Sequence, residues 1–223
     1  MPSTPTWLRP VTLPLPSEHL IDGPGDSAWT VALAHGAGAP MDSPFMDAVA
    51  AGLAAHGIRV VRFEFPYMAR RRSEGTKAPP DRMPVLLETW RSVIEACGPA
   101  RRLVIGGKSM GGRMASLVAD EAGVAGLLVF GFPFHAPGKV AEGRIGHLES
   151  LKTPSLFVQG TRDALGNREE VAGYALSPAI GLTWIEDGDH SLKPRKASGH
   201  TYEESMERAI SAAAGFVLGL AQG

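Results

Sequence analysis

The sequence Leu103-Val104-Ile105-Gly106-Gly107-Lys108-Ser109-Met110-Gly111-Gly112 sets a serine between glycines where an apolar run gives way to a helix-compatible one. A Gly-x-Ser-x-Gly turn from strand to helix is a nucleophile elbow: strand and helix nearly touch, and glycines two residues either side of Ser109 leave the room. Such a turn lifts the hydroxyl above the sheet and aims the Met110 backbone N–H at the place where an oxyanion would form. Taken alone, the block also fits a Gly-rich turn with a solvated serine. A serine needs a base to become a nucleophile, and the base needs an acid to hold its tautomer. Pro154-Ser155-Leu156-Phe157-Val158-Gln159-Gly160 reads as a buried strand running into Thr161-Arg162-Asp163, which makes Asp163 the expected acid. Leu182-Thr183-Trp184-Ile185 is a further short strand, and the polar turn from Glu186 to Leu192 carries one histidine, His190, the expected base.

The chain order Ser109, Asp163, His190 resembles that of the α/β-hydrolase superfamily, and the blocks Gly107–Gly111, Gly160–Asp163 and Gly188–Leu192 resemble its three triad blocks on the dienelactone-hydrolase-like side. The likeness runs from about Thr30 to the C-terminus. Ala34-His35-Gly36-Ala37-Gly38-Ala39, Phe65-Pro66-Tyr67-Met68 and the segment from Pro133 to Lys139 are similar to a group of small bacterial hydrolases. Its eukaryotic relatives include a testis-expressed protein and a subunit of a histone-acetyltransferase complex. The resemblance implies a second oxyanion donor from the loop after the first long parallel strand, and the Ala37 N–H is the expected one. His35, at a strand end beside glycines, is expected to hold that loop by hydrogen bonding rather than to catalyse.

Two nucleotide-binding readings fail on the letters. Gly107-Lys108-Ser109 imitates the tail of a P-loop, but Arg102 stands where the first glycine should be. Gly36-x-Gly38 imitates a dinucleotide fingerprint, with Glu64 as a possible ribose-binding acid, but Met41 occupies the third glycine position. Cofactor and metal are therefore expected to be absent.

The elements that must position these residues alternate as strand and helix, which predicts a doubly wound, mostly parallel sheet covered on both faces. A Pro-rich lead-in with an edge hairpin is expected over residues 1–28. The first long strand is the Val31 run, followed by a helix with Ser43 as N-cap and Pro44 as first residue, ending at His56-Gly57. Then come a strand from Ile58 to Phe65, a long loop from Tyr67 to Pro84, a helix from Pro84 to Ala96, the elbow strand, and one helix from Met110 to Glu121. A strand from Val124 to Phe130, the Phe157 strand, a helix from Arg168 to Tyr174, the Ile185 strand and a helix from Tyr202 to Leu220 complete the chain. Only Phe132 to Thr153 separates the strand ending near Phe130 from the next, too little for a helical cap. The expected fold is a minimal α/β-hydrolase without a lid domain, with a shallow, open cleft.

Length and balance agree with one domain over residues 1–223. The 223 residues are 44% hydrophobic and 20% charged with formal net charge -1, enough to bury a core and without a field that would attract nucleic acid or an anionic membrane. One cysteine, Cys97, forbids an internal disulfide and fits a reducing compartment. No signal-like N-terminus and no membrane-length apolar run are present, so a cytoplasmic location is expected. Arg70-Arg71-Arg72 is read as a solvated basic loop or an anion contact near the site; Lys108 as solvent-facing; His135 and His147 as surface or lining residues. The expected activity is hydrolysis of a small carboxylic ester or thioester through an acyl-Ser109, with a hydrolase-fold scaffold of little turnover as the alternative and peptidase action third.

Overall fold

The computed structural model describes residues 19–139 and 143–220. Seven strands form one sheet in the order β1-β3-β2-β4-β5-β6-β7, from β1 His19–Asp22, β2 Thr30–Ala34, β3 Arg59–Phe63, β4 Leu103–Lys108, β5 Gly126–Phe130, β6 Ser155–Gly160 and β7 Ile180–Ile185. All neighbours are parallel except β1, which runs antiparallel to β3. The edge hairpin expected over residues 1–28 lies partly outside the described residues. Within them, β1 is held by pairing with β3, His19 opposite Phe63, and not with the β2 strand that follows it. The helices are α1 Pro44–Ala55, α2 Pro66–Glu74, α3 Met83–Cys97, α4 Met110–Ser116, α5 Ala119–Ala122, α6 Arg168–Ala172 and α7 Tyr202–Gly219.

Strands covered on both faces need apolar side chains on both, and their alternation sorts them into two cores. Ala32, Ala34, Phe63, Ile105, Val129 and Phe157 pack with Trp90 of α3 and Met114 of α4. Val31, Leu33, Val60, Val104, Leu128 and Val158 pack with Val49 and Leu53 of α1 and with Ala213 and Val217 of α7. Between β2 and β4 the strand order reverses, so the connections leaving their C-terminal ends diverge, and such a switch point is the usual ligand position in these sheets. Ala34, last of β2, pairs with Gly107 of β4, which sets the Gly36-Ala37 loop against the Ser109 elbow.

Two expectations need correction. The stretch after Tyr67 is not a long loop: it begins with helix α2. Pro66 supplies the fixed φ of a first helical residue, Asp81 accepts the otherwise orphaned Tyr67 N–H at 2.7 Å, and Gly75, left-handed at φ 66, closes the end. The single helix from Met110 to Glu121 is two. The Ser116 hydroxyl takes up the Arg113 carbonyl at 2.8 Å, the next bonds tighten to Leu117 N–H on Met114 and Val118 N–H on Ala115, and α5 restarts at Ala119. Between β5 and β6 the described residues contain only one helical turn, Gly146–Leu148, and among the described residues this connection forms no helical cap over the C-terminal edge.

Candidate active site

Ser109 has φ 51 and ψ −115, a conformation that non-glycine residues adopt only where the surroundings force it. The forcing is visible on both sides. A Cβ on Gly107, whose φ is 147, would lie 2.0 Å from the Ala34 carbonyl oxygen, and one on Gly111 would lie 2.6 Å from the carbonyls of Ala34 and His35. Any side chain at either position would drive β4 and α4 away from β2. From behind, the Trp90 indole N–H donates to the Gly111 carbonyl at 3.2 Å and ties the elbow helix to α3.

The three residues singled out from widely separated blocks meet. Ser109 Oγ lies 2.8 Å from His190 Nε2, and His190 Nδ1 lies 2.8 Å from Asp163 Oδ2. The Asp163 carboxylate has no solvent exposure, whereas the His190 side chain keeps 29%. Burying a carboxylate demands donors. Besides His190, Asp163 receives Gln159 Nε2 on Oδ2 and the Leu165 N–H on Oδ1, each at 2.8 Å. Gln159 cannot turn its amide round, because the Phe132 N–H donates to its Oε1 at 2.8 Å. An acceptor-only carboxylate on Nδ1 leaves Nε2 as the acceptor for the Ser109 proton.

The turn carrying His190 is laced to the loop carrying Asp163. Arg162 N–H donates to Gly188 O at 2.9 Å, and Asp187 N–H to Thr161 Oγ1 at 2.8 Å. Asp187 in turn receives the Arg195 N–H at 2.7 Å and its Nε–H at 2.9 Å, and this pairing holds its carboxyl down at about 2. Asp189, the other carboxylate next to His190, points into its own turn, where Oδ1 accepts from the N–H groups of Ser191 and Lys193.

Met110 N–H is the first of α4 and lacks an intrahelical acceptor, as every first-turn N–H does. Among the described residues neither it nor the Ala37 N–H donates to a protein acceptor. The Ala37 loop is held instead through its carbonyls. The Tyr67 hydroxyl reaches Ala37 O at 3.1 Å and Gly36 O at 3.3 Å, and Arg71 Nη1 reaches Ala37 O at 3.4 Å. His35 is fully buried. Its Nε2 accepts the Phe65 N–H at 3.1 Å and its Nδ1 faces Gly36 O at 2.7 Å, while burial pushes its imidazole below the usual histidine range. It braces the loop as a neutral ring, the role expected for it.

Lys108 is not solvent-facing. Its Nζ donates to the His190 carbonyl at 2.5 Å and lies 5.6 Å from the centre of the Phe45 ring, and burial pulls its pKa down to about 8. Nor is the Arg70-Arg71-Arg72 run a free basic loop. Arg70 pairs with Asp81 at 2.5 Å, Arg71 Nε donates to Ala78 O at 2.6 Å, and Arg72 grips both Asp42 and the fully buried Glu64 carboxylate. All three guanidinium groups bond protein acceptors, carboxylates for Arg70 and Arg72 and carbonyls for Arg71, so the run is not a free solvated loop. His135 Nε2 lies 3.4 Å from Glu170, and His147 Nε2 lies 2.8 Å from Ser116 Oγ. Gln159, Tyr67 and Lys108 support the site without having been singled out for it. For Gln159 a signal existed, since one polar residue inside an otherwise apolar strand must find partners.

Among the described residues no group of three or more His, Cys, Asp or Glu side chains is placed to hold a metal ion, and no helix is long and apolar enough to cross a membrane.

The sequence matches the family described as alpha/beta hydrolase domain over residues 27–218. Among solved structures it resembles an α/β serine hydrolase homologue from Coxiella burnetii, at 18% identity over 88% of this chain and 89% of that one, TM-score 0.67. A dienelactone hydrolase from Anabaena variabilis gives 18% identity over 90% of each chain, TM-score 0.66. A serine hydrolase described as lacking a lid, from Xanthomonas campestris, gives 21% identity over 92% of this chain and 87% of that one, TM-score 0.59.

Proposed function

This chain belongs to the α/β-hydrolase family, and from that premise we propose that it is a serine hydrolase that cleaves a small carboxylic ester or thioester through an acyl-Ser109 intermediate. The observation that carries the reading is the unbroken hydrogen-bond chain from Ser109 Oγ through His190 to the buried Asp163. Ser109 Oγ attacks the acyl carbon while His190 Nε2 takes its proton. The carbonyl electrons collect on an oxyanion held by the Ala37 and Met110 N–H groups. His190 then returns the proton to the departing alcohol or thiol, and water repeats the sequence to release the acid and regenerate Ser109. Asp163 keeps Nδ1 protonated and stabilises the imidazolium that forms in each half.

The uncapped edge favours short acyl groups and gives no basis for activation at a lipid interface. In this proposal the partner is a small-molecule ester, with nucleic acid and membrane excluded, and one domain working in the cytoplasm. The kinship to a testis-expressed protein and an acetyltransferase-complex subunit belongs to the same proposal, and with it the alternative of a scaffold with little turnover. Ser109 argues against the scaffold: its backbone strain costs on the order of 1–3 kcal/mol, which a binding surface has no use for.

The test is turnover of p-nitrophenyl esters from acetate to decanoate by the native protein and by Ser109→Ala. The expected result is hydrolysis that declines with chain length and falls by about 10⁶ in the variant, with an unchanged circular dichroism spectrum. Equal turnover by a folded Ser109→Ala protein would refute the mechanism.

A further inference from the structure

Arg62, Arg70, Arg72, Arg91, Arg162, Arg168 and Arg195 all form ion pairs with carboxylates. Arg113 does not. It is half-buried on α4, its Nε is buried and has no hydrogen-bond partner, and no acidic side chain among the described residues pairs with it. A buried N–H without an acceptor is costly and rare, and a guanidinium without a counter-charge more so. The groups around it deepen the imbalance. Burial lowers the Arg113 pKa, and Arg144, from the segment joining β5 to β6, adds to this as a second positive charge. His147, from the same segment, places Nε2 on Ser116 Oγ of α4, and burial, followed by the Arg113 charge, pushes its imidazole down.

The position of this cluster gives it a use. Arg113 N–H donates to the Ser109 carbonyl at 2.9 Å, so Arg113 lies one turn beyond Ser109, about 6 Å along the helix. Ser109, Met110, Arg113 and Leu117 are the half-buried stripe of the elbow helix, while Gly111, Gly112, Met114, Ala115 and Ser116 face the sheet. Helical side chains lean toward the N-terminus, which for Arg113 is the Ser109 end of α4.

We propose that Arg113, with Arg144 and His147, forms an anion-binding subsite beside Ser109 that recognises a carboxylate or phosphate carried by the substrate a few bonds from the scissile carbonyl. A planar guanidinium fork, with a second positive charge bearing on it, matches an oxyanion bidentately. The carboxylate or phosphate supplies the counter-charge that Arg113 lacks and offsets the repulsion between the two arginines. The selectivity that the sequence suggested for Arg70, Arg71 and Arg72 is thereby assigned to Arg113.

The inference rests on the serine-hydrolase reading, so the experiment separates the two. Hydrolysis of the mono-p-nitrophenyl ester of glutaric acid is compared with that of p-nitrophenyl valerate, a neutral ester of similar size, in the native protein, Arg113→Met and Arg144→Gln. The ratio of kcat/KM for the anionic ester to that for the neutral one should fall by about 10- to 100-fold in Arg113→Met, mainly through KM, and less in Arg144→Gln. High salt should weaken the native preference. A ratio that stays constant across the three proteins overturns the subsite. If neither ester is turned over by the native protein, the hydrolase reading fails on its own. The subsite is then decided by thermal melting of native protein and Arg113→Met with glutarate and, separately, with inorganic phosphate. Stabilisation of the native protein alone supports it and identifies which anion it takes, and equal or no stabilisation overturns it.

Discussion

Replacing Asp163 by Asn changes one atom and has no good solution inside this protein. If the amide oxygen faces Gln159 and His190, its NH₂ meets the Leu165 N–H, which now donates to Oδ1 at 2.8 Å. If the amide is turned, its NH₂ meets the Gln159 amide N–H, and Gln159 cannot turn in response because Phe132 fixes its oxygen. Either orientation leaves one donor facing another in a fully buried place, costing about 1–3 kcal/mol and lowering Tm by several degrees. Catalysis loses more. In the turned form His190 must accept on Nδ1 and carry its proton on Nε2, where it no longer serves as base to Ser109. In the other form the tautomer survives, but the imidazolium has lost its counter-charge. A fall in kcat of about 10⁴ is expected, about 5.4 kcal/mol of barrier, read from initial rates with a short p-nitrophenyl ester beside a melting curve. Asp189→Asn should be mild, because its Oδ1 keeps accepting from Ser191 and Lys193. A folded Asp163→Asn enzyme with more than a tenth of native activity, or an Asp189→Asn enzyme that is crippled, would refute the assignment.

Lys108 yields a prediction in pH. With a folded pKa of about 8 against an ordinary 10.5, the unfolded chain holds more protons between those values, so this lysine makes stability rise as pH climbs through that window. Urea midpoints of the native protein minus those of Lys108→Met should therefore increase from pH 8 to 10, and a flat difference would show that the ammonium is not buried. The same substitution removes the bond to the His190 carbonyl and should lower kcat about 3- to 10-fold. Tyr67→Phe takes away the hydroxyl that holds the carbonyls of Gly36 and Ala37, and should lower kcat by a similar factor with little change in KM; a change confined to KM would contradict a role in orienting the Ala37 N–H.

The candidate site was readable because each of its chemical residues follows an apolar strand, and parallel strands gather their C-terminal ends at one edge. Ser109 follows β4, Asp163 follows β6 and His190 follows β7, so chain order alone brings them together. The residues that steady them were harder to see because their partners are remote in sequence. Lys108 points inward only because the His190 turn, 82 residues later, offers it a carbonyl. Helix α2 escaped because it buries little beyond Tyr67 and Met68 and so lacks apolar periodicity, although Pro66 and Gly75 marked its two ends. The break between α4 and α5 depends on Ser116 bonding backward, a choice between two acceptors that spacing cannot reveal.

Covalent capture tests the central claim most directly. Native protein treated with a fluorophosphonate and examined by intact mass and peptide mapping should carry one adduct per chain, on Ser109, formed orders of magnitude more slowly in His190→Ala. An adduct on another residue, or none on protein shown to be folded, would contradict the assignment of Ser109 as the nucleophile.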